Sequence, residues 1–295
     1  MKAFVIKGPG QGSIQDVPNV NRSPEEVLLE PIIVGLCGTD RLLYSGKMPM
    51  ASFPRIPCHE TVARVLAPAE KCSLEKGQLV CVDPYLNCGS CYACHHGKTN
   101  CCRYNKTFGV QRDGVLREQF TALPQKLFPI PDNSSLRSFA FTEPLALALH
   151  IVNRPNIQKG DWILVVGIGN VGQLVVTVLQ TKGAKIIAWD ISKERLAIAS
   201  KLGVSICIDA NDENAKKRIL EVTDGEGVGC SFEISGSVAG FETCIHMTAF
   251  GGQVVVVGHG KEATKIKETE IVSKELTIFG SRNSLGQFPR AIRMI

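Results

Sequence analysis

Residues Trp162-Ile163-Leu164-Val165-Val166-Gly167-Ile168-Gly169-Asn170-Val171-Gly172 decide the fold of this 295-residue chain. An apolar run enters a glycine-rich turn, and Leu174, Val175, Val178 and Leu179 then recur at helical spacing, so the stretch reads as strand, tight turn and helix. Glycines at this spacing carry little weight alone and can serve packing only. Here a second apolar run, Lys185-Ile186-Ile187-Ala188-Trp189, follows and ends in Asp190, where a dinucleotide fold puts its ribose-binding acid. Gly167, Gly169 and Gly172 would let the backbone approach a pyrophosphate, with Asn170 and Val171 opening the helix whose N-terminus faces it. Asp190 would bond the adenosine ribose hydroxyls and repel a 2′-phosphate, so NAD is expected rather than NADP. Arg195 joins the same cofactor set.

Outward from the fingerprint, strand-like and helix-like runs alternate. Residues 204–208, 229–234, 253–258 and 276–280 are β-like, separated by helical segments such as 212–222 and 240–250. With the two runs already placed they make six strands, the count of a doubly wound parallel sheet in an α/β domain. Before about residue 150 the texture changes to short β-like runs (26–30, 61–67 and 78–84) broken by Gly and Pro, so an all-β body is expected there, joined near His150 to Pro155. The expected division is residues 1–150, then 151–281, with 282–295 beginning a return to the first domain.

The β-rich part holds Asn87-Cys88-Gly89-Ser90-Cys91-Tyr92-Ala93-Cys94 and, further on, Cys102. Such spacing folds four thiolates onto one tetrahedral zinc with Zn–S bonds of about 2.3 Å, a closed structural site. Disulfides are the competing reading, but no secretory signal precedes the cluster and zinc satisfies all four sulfurs at once. Cys101 is the spare thiol. The start Met1 to Lys7 has too short an apolar run for a signal peptide, and no stretch approaches the length that crosses a bilayer, so a cytoplasmic chain with reduced cysteines is expected. A net charge of +5, scattered along the sequence, does not call for nucleic acid.

Four signatures in order, Gly35-Leu36-Cys37-Gly38-Thr39-Asp40, Cys58-His59-Glu60, the cysteine knot and the dinucleotide fingerprint, resemble the zinc-dependent medium-chain alcohol and polyol dehydrogenases over essentially the whole chain. Glu143-Pro144-Leu145-Ala146 looks like the sorbitol and threonine dehydrogenase branch, and the tracts 98–102 and 280–283 further resemble the L-galactonate and L-gulonate 5-dehydrogenases. The resemblance implies a GroES-like catalytic domain beside a Rossmann domain, two zinc ions per chain, NAD, a polyol, sugar or sugar-acid substrate, and a homo-oligomer, dimer or tetramer.

Taken singly, His59 would be an ordinary core or surface histidine and Cys37 a small buried hydrophobe. The resemblance makes them ligands of a catalytic zinc with one position open, where a substrate hydroxyl loses its proton more readily before hydride leaves for the nicotinamide. Glu60 and Glu143 are both candidates for the third ligand, with Glu60 favoured, and both have alternative roles in salt bridges or orientation. Thr39 matches the hydroxyl that accepts the substrate proton, and its other reading is a turn residue bonding its own backbone. Arg41 and Arg282 are candidate partners for a substrate carboxylate, with a solvated surface charge as the equal alternative for either.

Several positions depart from the pattern. Leu42 replaces a histidine, sending any proton relay out by the ribose or water, and Cys58, Ala63 and Val115 stand where glycines are usual. Cys58 is also a candidate competitor for metal or an oxidation-sensitive neighbour. Because the sequence stops at Ile295 in what looks like a helix, a truncated inactive relative retaining zinc and nucleotide binding is an alternative reading. A zinc-free quinone reductase is disfavoured by Cys37, His59 and the knot.

Overall fold

An antiparallel hairpin of β1 (Lys2–Gly8) and β2 (Gln11–Asp16) opens the chain. The computed structural model describes residues 1–50, 52–131, 135–260 and 262–295. Contacts divide it into one unit of Met1–Ala146 with Leu285–Ile295 and another of Leu147–Ser284. The first unit continues with β3 (Val27–Gly35), α1 (Gly38–Tyr44), β4 (Glu60–Ala67), β5 (Leu79–Val82), β6 (Tyr85–Leu86), α2 (Tyr92–His95), β7 (Lys106–Thr107), β8 (Phe120–Ala122), β9 (Leu127–Pro129), α3 (Leu136–Phe139) and the start of α4 (Thr142–Val152).

Its main sheet is antiparallel, in the order β8-β3-β4-β5-β9. Branched side chains alternate into one core, where Val27, Leu29, Val65, Val80, Val82 and Phe120 are buried together and Phe108 meets Phe120 edge to face. Each large side chain so buried contributes about 1.5–3 kcal/mol. That sheet positions the chemistry. Gly35 at the end of β3 pairs with Glu60 at the start of β4, so the segments carrying Cys37 and His59 leave the sheet side by side. A side chain at Gly35 would collide with that of Glu60.

The second unit takes up β10 (Trp162–Val166), α5 (Asn170–Thr181), β11 (Lys185–Asp190), α6 (Lys193–Lys201), β12 (Ile206–Asp209), α7 (Ala215–Val222), β13 (Val228–Glu233), α8 (Val238–Met247), β14 (Thr248–Val256), α9 (Glu268–Val272) and β15 (Thr277–Gly280). Six parallel strands stand in the order β12-β11-β10-β13-β14-β15. Counted from the fingerprint strand this is 3-2-1-4-5-6, the doubly wound dinucleotide fold, whose order reverses between β10 and β13. Leu164, Val166, Ile187, Ile208 and Val254 form its buried centre.

One local expectation needs correction. The helix expected over 240–250 ends at Met247, and Thr248 already begins β14. Lys274 Nζ donates to the carbonyls of Ile245, His246 and Thr248 at 2.8–3.2 Å, capping that helix end from a distance that periodicity does not register. The contact-based division falls at 146/147, inside α4, and at 284/285, after β15. Among the described residues no helix is long and apolar enough to cross a membrane.

Candidate metal centres and cofactor site

The four knot sulfurs lie within 4.8 Å of one another. Cys91 Sγ is 3.6 Å from Cys94 Sγ and 3.9 Å from Cys102 Sγ, against roughly 3.8 Å for the edge of a tetrahedron with 2.3 Å Zn–S bonds. The donor set therefore fits a zinc ion. Local bonds arrange it: Cys88 N–H points at Cys102 Sγ, Asn87 Nδ2 at Cys94 Sγ, and Ser90 Oγ at Cys88 Sγ. Hydrogen bonds from Ser90, backbone first and hydroxyl second, draw the exposed Cys88 thiol down to about 6, while burial pushes Cys102 up to about 11. Cys101 is exposed and stands outside the cluster.

A second group of ligand-type side chains is assembled from distant segments. Cys37 caps α1, and its Sγ is 3.4 Å from His59 Nε2, close to the roughly 3.5 Å that bonds of about 2.3 and 2.0 Å to one ion would subtend. His59, Glu60 and Glu143 offer atoms within 4.8 Å of one another, so His59 is common to both sides of the cluster. His59 Nδ1 is buried without a protein hydrogen bond. Burial, then the Asp40 carboxylate, pushes the Cys37 thiol far up. Burial, then the charge of Glu143, pushes Glu60 up to about 7, and burial raises Glu143 as well. A buried thiol and two crowded carboxylates are poorly matched to each other and well matched to a dication, which would restore their charged forms.

Asp40 also lies within reach, but its oxygens are committed elsewhere. Oδ2 accepts the Cys37 N–H at 2.9 Å and Oδ1 the Cys58 N–H at 2.8 Å, tying the two ligand-bearing segments together. Sequence reading assigned Asp40 no role. Its signal was the Cys37-x-x-Asp40 spacing of a helix capping box. Tyr85 was missed too, and its hydroxyl donates to Glu143 Oε1.

The remaining predicted positions are placed as follows. Thr39 is half-buried and its N–H points at Cys37 Sγ at 3.2 Å. Arg41 and Leu42 are exposed on α1, and Arg282 is exposed in the second unit. Cys58 is fully buried with φ of 74°, the left-handed conformation that glycine adopts freely and other residues only at a cost of about 1 kcal/mol or more.

In the second unit, β10 enters the turn at Gly167, whose φ is 95° and whose missing side chain gives room to the Ser235 backbone. A Cβ on Gly172 would collide with the Gly167 carbonyl, while Gly169 faces open space. Gly169 caps α5, with Asn170 and Val171 in its first turn, where N–H groups lack intrahelical partners. This is a cradle that fits a pyrophosphate. Asp190 ends β11, nearly buried, and accepts Ile168 N–H at 2.7 Å and Ser192 N–H at 2.8 Å. Arg195 Nη1 approaches it at 3.6 Å. The acid therefore holds the glycine turn itself, with lone pairs left for a ligand.

Comparison with known proteins agrees with this architecture. Residues 23–132 match the alcohol dehydrogenase GroES-like domain, and residues 170–295 the zinc-binding dehydrogenase model. L-galactonate-5-dehydrogenase of Escherichia coli K12 is 30% identical over 88% of this chain and 76% of its own length. The rspB alcohol dehydrogenase of Escherichia coli CFT073, solved with NADH, superposes with a TM-score of 0.92 at 27% identity, over 99% of this chain and 86% of its own. A zinc-binding dehydrogenase from Sinorhizobium meliloti 1021, solved with NADP, gives 0.93 at 27% identity, over 99% and 87%. A knot, a mixed-donor centre, a glycine cradle and these relatives leave one conclusion: the chain belongs to the zinc-dependent medium-chain alcohol and polyol dehydrogenases, NAD(P)-dependent oxidoreductases.

Proposed function

We propose that the chain oxidises a secondary alcohol of a polyol, sugar or sugar acid to a ketone, passing hydride to NAD and a proton to solvent. The observation that carries this is the 3.4 Å approach of Cys37 Sγ to His59 Nε2 beside Glu60 and Glu143. Cys37 and His59, with Glu60 or Glu143, would hold a zinc ion whose Lewis acidity makes a neighbouring hydroxyl easier to deprotonate. Thr39, two residues beyond Cys37 and with its N–H on the Cys37 Sγ, offers a hydroxyl that both accepts and donates and so relays the proton. Leu42 cannot take it further, so the proton leaves through the ribose or water. Gly167, Gly169 and Gly172 bind the pyrophosphate, and Asp190 orients the adenosine ribose and disfavours a 2′-phosphate.

The E. coli relative's name, a galactonate dehydrogenase, supports the hydrophilic substrate class. The test is metal analysis with a turnover screen. The expected result is two zinc ions per chain and NAD reduction with polyols or sugar acids in preference to short alkanols; faster turnover of ethanol than of every polyol and sugar acid overturns the assignment.

A further inference from the structure

We propose that Tyr85 is a positioning residue for the metal centre: its phenol fixes the Glu143 carboxylate and thereby decides which of that residue's atoms are left to a cation. The inference rests on the reading of Cys37, His59, Glu60 and Glu143 as that centre. Tyr85 Oη donates to Glu143 Oε1, and Glu143 is only 5% exposed, so little water competes for that oxygen.

The donor itself is held from several directions. Tyr85 N–H donates to Asp83 Oδ1 at 3.0 Å, Asp83 Oδ2 is paired with Lys126 Nζ at 2.8 Å, and Asp83 N–H donates to Lys126 O at 2.8 Å. Tyr85 also pairs with Thr107 in the β6–β7 ladder, and Pro84 O accepts Phe108 N–H and Arg112 Nη2. The ring therefore arrives at Glu143 from a fixed backbone.

The chemistry of the donor matters as much as its position. Glu143 stands beside Glu60, and without a constraint two like charges turn away from each other. A lysine or arginine would quiet that repulsion by neutralising the pair and would compete with the cation. A phenol is a neutral donor that occupies one oxygen and leaves the negative charge for the metal. Carboxylates that face metals are commonly oriented in this way, and removing the outer partner weakens metal binding by about 10–100-fold.

The experiment compares wild type, Tyr85→Phe, Glu143→Ala and the double variant, each purified with its metal. Chelator titration separates the two sites, and cobalt substitution reports ligand geometry through the d–d bands. Expected is a loss of about 10–100-fold in affinity at the Cys37/His59 centre for Tyr85→Phe, with altered cobalt bands and the knot's zinc retained. The double variant should bind no more weakly than Glu143→Ala alone, because Tyr85 acts through the Glu143 carboxylate. Affinity within about twofold of wild type with unchanged cobalt bands overturns the inference. Should Tyr85→Phe fail to fold, Tyr85→His, which keeps a ring donor, is expected to bind more tightly than Tyr85→Leu, and equal affinities overturn it. Wild type with one zinc per chain sinks the metal-centre reading and this inference together, whereas two zinc ions with an unaffected Tyr85→Phe sink this inference alone.

Discussion

The two cysteine-bearing centres are built in opposite ways. All four knot sulfurs come from residues 88–102, one at the surface and one buried, arranged by bonds within their own loop. Cys37, His59, Glu60 and Glu143 are brought together by a strand end, a strand start and a helix, and burial there pushes the Cys37 thiol and the Glu60 and Glu143 carboxylates toward their neutral forms. On the proposed reading, the local site would use metal to hold its fold, and the dispersed one would use the fold to hold its metal.

The sharpest way to break that contrast is to remove one ligand from each. Cys91→Ser should cost several kcal/mol, since a structural zinc's binding energy is folding energy. The variant is expected to lose one zinc and precipitate or melt far below wild type. A calorimetric midpoint within a few degrees of wild type would erase the distinction. Cys37→Ala, in contrast, should melt close to wild type while NAD reduction falls about 10³-fold or more, several kcal/mol of transition-state stabilisation. Steady-state rates on the best screened substrate provide the reading.

Legibility in the sequence follows the same contrast. The convergence of the four knot sulfurs was readable from spacing alone, because chain connectivity already places them close together. The doubly wound sheet was readable as well, since apolar runs, glycine turns and Asp190 recur at fixed offsets from Trp162. Cys37 and His59 needed the family's motifs. The turn from β3 into α1 and the Asp40 clamp join their segments, and neither leaves a period to count. Tyr85 carried no signal at all: its meaning lies in a contact with Glu143, 58 residues away. Likewise Lys274 ends α8 from outside its own helix, which is why the expected helix overran into β14.

A pH titration sharpens the dispersed side. Burial, then the charge of Arg154, draws His150 down to about 4 on the same helix whose first turn carries Glu143. The unfolded chain protonates this imidazole near 6.5 and the folded chain only near 4, so its stability is intact above about 6.5 and is lost as pH falls toward 4. The loss amounts to roughly 3 kcal/mol at most. Knot thiolates and centre carboxylates also take up protons in acid, so the measurement is a difference: denaturant midpoints of wild type and His150→Gln from pH 7.5 to 4.5. His150→Gln should lose stability less steeply over that window; parallel curves would remove His150 from the account.

Asp190 extends the comparison to the cofactor, since like Asp40 it is a nearly buried carboxylate clamping two backbone N–H groups. Its replacement therefore does two things at once. Asp190→Ser removes the charge that repels a 2′-phosphate, leaving the half-exposed Arg195 to attract one, and it also frees the Ile168 amide in the glycine turn. The first effect raises NADP use while the lost ribose bonds cost NAD; the second weakens both cofactors. Together they predict about a tenfold fall in kcat/KM for NAD, about 1.4 kcal/mol, with a smaller change for NADP, so that the preference narrows. Kinetics with both cofactors, wild type against variant, decide it. Equal wild-type kcat/KM for NAD and NADP would mean that Asp190 serves the turn alone, as Asp40 serves the metal segments, and reads no ribose.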